Sequence, residues 1–332
     1  MKTKATLKNI SETLHISIST VSRALKNHPD ISEETKRKVM ELASVIEYEP
    51  NTHAINLRTN KSKIFGLIVP VISNYFYHSF IASVEEEARR IGYSLIILQS
   101  GDDPQIEMEN LRLCRVNRVA GVFVSIATQT KDIKPFLKLD EVDIPVIFFD
   151  KVPAFEACNK ICLADAEAAN LAAEIIIGKN KKNVLAIFGN SELSITQKRQ
   201  KAFSEAFSTH PAQVKVIITN ADTAEEATQL TWQFCSPAHR PDVIFSMSDE
   251  ILTGVMKAVQ KLKLQVPDEI AILSICNNNF IPSLYDPPIT FIETSGFDLG
   301  KLAFKRMMDY EAGKTFVQQL TVPSKLVEGG SI

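Results

Sequence analysis

From Ile64 onward the chain alternates short apolar runs with helix-patterned stretches, and this alternation restricts it to parallel sheets covered by helices. The strand-like runs are Ile64–Val69, Ser94–Leu98, Gly121–Ser125 and Val146–Phe149. A second series follows at Val184–Phe188, Val214–Ile218, Val243–Phe245 and Ala271–Ile275. Helical patterns are read at Phe76–Ile91, Ile106–Arg115, Ala166–Ile177, Thr196–Ser208, Ala224–Cys235, Glu250–Lys263 and Asp298–Tyr310. Strands that are apolar throughout need cover on both faces, so two such series predict two α/β lobes.

Ahead of these runs the pattern is helical only. Thr6 is placed to cap a first helix to Leu14, with Leu7, Ile10 and Leu14 on one face. Ser17 caps a second helix through Leu25 that turns Val21, Ala24 and Leu25 inward. Ser32 caps a third, with Val39, Leu42, Ala43 and Ile46 as its apolar stripe. Three short helices, the first two joined by a tight turn at His15-Ile16, are the geometry of a helix-turn-helix. The outer face of the second helix carries Ile18, Ser19, Ser22 and Arg23. Short hydroxyls and a guanidinium suit phosphates and base edges. Charge agrees: Met1–Lys63 holds 11 Lys+Arg against 7 Asp+Glu, whereas the whole chain holds 37 against 39. A basic head on an acidic body points to a polyanionic partner.

Other classes are disfavoured. No apolar run approaches the roughly 18 residues of a membrane helix, and Met1–Leu14 is polar and basic without the apolar core of an export signal. A cytoplasmic protein is expected, and the five scattered cysteines read as reduced and mostly buried. Cys158 and Cys162 lack a second pair at metal-ligand spacing, so neither metal nor cofactor is expected. The pairs Asp102-Asp103 and Asp249-Glu250 are sequence neighbours that do not converge on one atom. With no nucleophile elbow or phosphate loop, an enzyme is not expected.

The stretches ATLKNISETLHISISTVSRAL, NHPDISEETKRKV and YEPNTHAINLRTNKSK resemble the lactose-repressor (LacI/GalR) family of bacterial transcription regulators. The similarity extends through IFGLIVPVISNYFYHSF, GYSLIILQSGDD, NRVAGVFVS and IPVIFFDKVP, and so covers nearly the whole chain. It implies an all-α helix-turn-helix head (residues 1–50), a hinge helix and linker (51–63) and a periplasmic-binding-protein-like sensor with two parallel-sheet lobes (64–332). It also implies a cytoplasmic homodimer that represses from double-stranded, palindromic operator DNA under control of a small effector. The implied DNA-contacting residues are Thr6, Ser17, Ile18, Ser19, Thr20, Ser22 and Arg23 in the head and Asn51, Ala54, Leu57 and Arg58 in the hinge. Leu57 falls on the family's wedge position, where an apolar side chain unstacks a base step. A seven-residue segment such as Thr52–Arg58 cannot hold a helix alone in water and would order on DNA.

In the sensor the resemblance implies Asn74, Tyr75, Phe76, Ser125, Asp150, Arg199 and Asp249 as effector ligands, all just past strand ends or at helix starts, with Cys276 and Asn277 as further candidates. It also implies three crossings between lobes, placed near Lys160, Thr290 and Val322. Two departures stand out. Where many relatives carry Gly-aromatic-Asp-Asp this chain has Ser274-Ile275-Cys276-Asn277, and Thr223 stands where some relatives place a stacking aromatic. Loss of that carboxylate beside a retained Arg199 argues for a carbohydrate or an acidic derivative as effector, with a protein co-regulator as a second reading. A transport component built on the same clamp would lack the head.

Overall fold

The computed structural model describes residues 5–48, 62–210, 214–235 and 240–332. The chain divides into two compact units, Met1–Lys61 and Ser62–Ile332. The first unit contains α1 (Leu7–Leu14), α2 (Ile18–Leu25) and α3 (Glu33–Val45). Each N-cap expected from the sequence is made: Thr6, Ser17 and Ser32 accept from the amides of Asn9, Thr20 and Thr35. Such a cap satisfies a backbone donor that would otherwise be unpaired, worth about 1 kcal/mol. His15 ends α1 in the left-handed region (φ 52), which folds the chain back into α2 within three residues. The three helices close over Ile10, Val21, Ala24, Val39 and Ala43.

The second unit holds two six-stranded sheets with helices on both faces. The first lobe is built from β1 (Ile64–Val69), α4 (Tyr75–Arg90), β2 (Ser94–Gln99), α5 (Pro104–Val116), β3 (Val122–Val124), a short α6 (Lys134–Leu137), β4 (Val146–Phe149) and β5 (Asn159–Leu163). The chain then enters the second lobe with α7 (Asp165–Gly178), β6 (Asn183–Phe188), α8 (Ser194–Ser208), β7 (Lys215–Asn220), α9 (Ala224–Phe234), β8 (Val243–Ser246), α10 (Asp249–Lys261), β9 (Ala271–Cys276) and β10 (Thr290–Glu293). It returns to the first lobe for α11 (Gly296–Glu311) and β11 (Gln319–Val322), and ends in the second as β12 (Lys325–Val327).

Sheet order is β11-β5-β4-β3-β1-β2 in one lobe and β12-β10-β9-β8-β6-β7 in the other. Every pair is parallel except β12 on β10. The crossings fall at Ala164, Thr294–Ser295 and Pro323–Ser324, each a few residues beyond the expected position. Strands β5, β10, β11 and β12 were not anticipated, and three of them occupy the places where crossings were expected. They are short, three to five residues each, and their sequences mix polar and apolar residues.

Packing differs between the lobes. The first stacks aromatics: Phe80 lies flat on Phe149, and Phe65 meets Tyr93, Phe123 and Phe304. Burying each such ring contributes about 1.5–3 kcal/mol. In the second lobe the fully buried Ala168, Ala169, Ala172 and Ala173 face inward from α7 and leave room for Phe188, Phe203 and Phe245. Close helix approach depends on glycine at two points. A Cβ on Gly300 of α11 would sit 2.9 Å from the Phe80 carbonyl oxygen of α4, and one on Gly254 of α10 would sit 2.1 Å from that of Ala224. Four of the five cysteines are buried, and all five are free thiols. Among the described residues no helix is long and apolar enough to cross a membrane.

Candidate functional site

In the head, the side of α2 away from the core presents Ile18 at 48% exposure beside an exposed Ser19 and Arg23, with Ser22 and Thr20 half-buried. An exposed isoleucine in so small a domain leaves apolar surface unpartnered. The Ser17 hydroxyl caps the helix and lies 2.7 Å from that of Ser19 and 2.8 Å from that of Thr20, which makes a continuous hydroxyl edge at the helix N-terminus. Free amides and the positive end of the helix dipole favour a phosphate there. Arg23 comes no nearer than 4.0 Å to Asp30, and both are exposed, so its guanidinium remains available to another anion. Thr6 caps α1. Asn51, Ala54, Leu57 and Arg58, and the hinge expected across 51–63 apart from its last two residues, lie outside the described residues.

In the sensor, the segments that follow β1, β4, β6 and β8 at their C-terminal ends meet around one cleft of about 690 Å³. This is where an open parallel α/β sheet leaves its backbone ends unfilled and collects polar side chains. Asn74, Tyr75, Phe76, Asp150, Arg199, Asp249 and Asn277 all line it, so seven of the nine expected residues converge. Asn74 also caps α4, accepting from the Phe76 amide at 2.9 Å.

Two residues do not reach the cleft. Ser125 is fully buried behind the wall, its hydroxyl 3.0 Å from that of Tyr77. Cys276 is also buried, with its thiol donating to Ser274 at 3.2 Å. Each sits one layer behind a lining residue, Ser125 behind Tyr77 and Cys276 behind Asp249. Thr223 caps α9 by accepting from the Glu226 amide.

Asp150 follows β4 with φ 56, a left-handed conformation that is rare outside glycine and asparagine-like residues. Its Oδ2 accepts the Tyr77 hydroxyl at 2.7 Å. Burial raises the Asp150 pKa above the ordinary aspartate value, opposed by the Tyr77 bond. Burial likewise pushes Asp249 up to about 6, although Asn277 donates its amide N–H to Oδ2 at 2.8 Å. The Tyr77 phenol is held well above its normal range by burial and by the adjacent Asp150.

Arg199 is only 4% exposed, and each of its three nitrogens has a partner. Nε donates to Asp165 Oδ1 at 3.0 Å, a terminal nitrogen lies 2.8 Å from the same oxygen, and the other donates to the Met247 carbonyl at 3.0 Å. Arg199 thus reaches the cleft already paired with Asp165. Asn277 is engaged too. Its Nδ2 donates to the Tyr75 carbonyl at 3.3 Å, and its Oδ1 accepts the Gly296 amide at 2.8 Å, so it ties the lobes together. A carboxylate at this position could not make the first of these bonds.

The sequence reading missed Tyr77, Lys151, Asp165, Asp222 and Glu250. Lys151 donates to Asp102 at 3.0 Å. Tyr77 and Lys151 were within reach of inspection, since each directly neighbours an expected residue. Asp165 carries no local signal, because its partner is 34 positions away.

The model of bacterial regulatory proteins of the lacI family matches residues 6–51, and that of periplasmic binding proteins and the sugar-binding domain of the LacI family matches 62–328. The chain is 26% identical to a Vibrio vulnificus protein named HTH-type transcriptional repressor PurR, over 92% of this chain and 91% of that one. It is 24% identical to the HTH-type transcriptional regulator DegA of Bacillus subtilis, over 98% and 97%. The lac repressor dimer crystallised with operator and the anti-inducer ONPF superposes with a TM-score of 0.87 at 19% identity, over 99% of each chain, which establishes the shared fold. With both models matched in order and the larger covering well over half its length, the chain belongs to the LacI family of bacterial regulatory proteins.

Proposed function

We propose that this chain is a sequence-specific DNA-binding transcription regulator, a repressor that grips a palindromic operator as a homodimer and alters its occupancy when a small molecule enters the sensor cleft. One observation carries the reading: a single chain joins an exposed hydroxyl-and-guanidinium face on α2 to a polar cleft at the ends of two parallel sheets. Neither feature alone distinguishes a regulator from a small helical bundle or a binding protein. Family membership and the repressor names of its relatives support the same reading. A cytoplasmic location follows from DNA as partner.

In this reading residues 1–50 read the major groove, 51–63 form the hinge and 64–332 sense and dimerise. Ile18 and Ser19 meet major-groove base edges, Thr20, Ser22 and Arg23 contribute base or phosphate contacts, and Thr6 and Ser17 lie beside them at helix N-termini. Asn51, Ala54 and Arg58 flank Leu57, which wedges a base step at the operator centre. One recognition helix reads few bases, so two-fold symmetry supplies the remaining specificity. A few kcal/mol of difference in ligand affinity between lobe arrangements suffices to change occupancy many-fold.

Selection of bound duplexes from random DNA, with and without pools of metabolites, tests this directly. The expected product is a palindrome whose recovery changes with at least one metabolite. Recovery of random sequence under every condition would overturn it. Deleting residues 1–63 should abolish DNA binding while leaving ligand binding intact. Arg23→Ala should relax the selected sequence at one position per half-site, by about 1–3 kcal/mol.

A further inference from the structure

Six charged side chains line the sensor cleft: Asp150, Lys151, Arg199, Asp222, Asp249 and Glu250. Both cations already have carboxylate partners outside the lining, Lys151 with Asp102 at 3.0 Å and Arg199 with Asp165 at 2.8 Å. Among the described residues, neither comes within ion-pair distance of the four lining carboxylates. These four meet only neutral donors or none. Asp150 accepts the Tyr77 hydroxyl, Asp249 the Asn277 amide and Asp222 the Asn190 side-chain amide at 3.2 Å, while Glu250 accepts no hydrogen bond from a described residue. Two of the four, Asp150 and Asp249, are half-buried, and the other two are exposed at the rim.

We infer that the cleft is built for a hydroxylated ligand bearing a protonated amine and discriminates against carboxylates and phosphates. The inference rests on the reading of this cleft as the effector site. A half-buried carboxylate with no directly paired cation is unfavourable, and an incoming ammonium group supplies both the paired charge and up to three donors. An anion would meet four like charges with no free cation to offset them. Acidic side chains at the rim would also draw a cation towards the opening. Aromatic faces at Tyr75 and Phe76 provide the apolar surface on which a ring lies.

Calorimetric titration of the full-length protein with matched hexoses, hexosamines and hexuronates, and with cyclitols and aminocyclitols, reads the charge class directly. The amine-bearing members are expected to bind at least about tenfold more tightly than their neutral counterparts, as one charge-assisted hydrogen bond suffices for that ratio. Asp249→Asn should remove about tenfold of the amine affinity and little of any neutral affinity. If that variant misfolds, the double variant Asp222→Asn/Glu250→Gln, altered only at exposed positions, should still weaken amine binding several-fold.

Amine binding should also fall by up to about tenfold per pH unit below pH 6, as Asp249 takes up a proton beside Arg199 of α8, Cys276 of β9 and Glu250 on its own helix. Neutral or acidic compounds binding as tightly as the amines would overturn the inference, and so would failure of every amine to bind. The two failures separate cleanly. A neutral or acidic compound that shifts operator occupancy leaves the regulator standing and removes the charge assignment, whereas absence of any selected operator removes the regulator itself.

Discussion

The two walls of the sensor cleft hold their acidic groups in opposite ways. On the first lobe Asp150 is met by a phenol and, behind it, a serine, all neutral. On the second lobe Asp165 is met by a guanidinium from α8 at two nitrogens. Both arrangements bury oxygen atoms, yet only the second removes the charge from the electrostatic balance. Arg199, which the family pattern offers as a ligand contact, lines the cleft while paired with Asp165, and the carboxylates outside any ion pair face the same space. A buried ion pair holds the wall in place, and the groups available for recognition are those the fold leaves uncompensated.

Breaking the compensated side should have the largest effect. Arg199→Ala leaves Asp165 buried with no partner and frees the Met247 carbonyl. The expected loss is about 3–5 kcal/mol, seen as a fall in the denaturant midpoint. Asp249→Asn works in the other direction. The carboxyl of Asp249 is held up to about 6, above its unfolded value, so the stability it lends as a neutral acid is present at low pH and lost as pH rises through 6. The amide stays neutral throughout. The ligand-free variant should therefore be more stable by about 2–3 kcal/mol at pH 8, with the gain vanishing near pH 4. Paired thermal melts across that range would show it, and a loss at pH 8 would contradict it.

Tyr77→Phe sharpens the comparison on the first lobe. It removes the hydroxyl that Asp150 uses, at a cost of about 1–2 kcal/mol when Asp150 is ionised. Because that bond holds the Asp150 pKa down, the variant should raise it further, and the cost should fade in acid as the carboxyl becomes neutral. A pH-independent loss would instead point to the neutral bond between the Tyr77 and Ser125 hydroxyls.

Much of this arrangement was legible in the sequence because its signals are local. Ile64–Val69 and Val146–Phe149 are apolar throughout, and both strands fall at those bounds. The caps Thr6, Ser17 and Ser32 are short-range chemistry as well. Residues such as Asn159–Leu163 or Gln319–Val322 become strands only because each finds the other across more than 150 positions, and no window on the chain contains that information. The site divides in the same way. Asp150, Asp249 and Asn277 follow strands and could be placed by that rule, but which oxygen receives which donor depends on Tyr77, Asp165 and Gly296 arriving from elsewhere. Ser125 and Cys276 obeyed the rule of position but are buried behind the lining residues Tyr77 and Asp249, which arrive from other elements.

The threefold passage of the chain between lobes sets the order in which they can be finished during synthesis. The edge strand β11 and the covering helix α11 of the lobe made first come from residues 296–322, almost the last to be translated. Until they emerge from the ribosome, the open flank of β5 has no neighbour, and the aromatic layer around Phe65 lacks Phe304. The amino-proximal lobe therefore cannot mature ahead of its partner, and nascent chains arrested before residue 296 should expose an unpaired strand edge to chaperones or to one another.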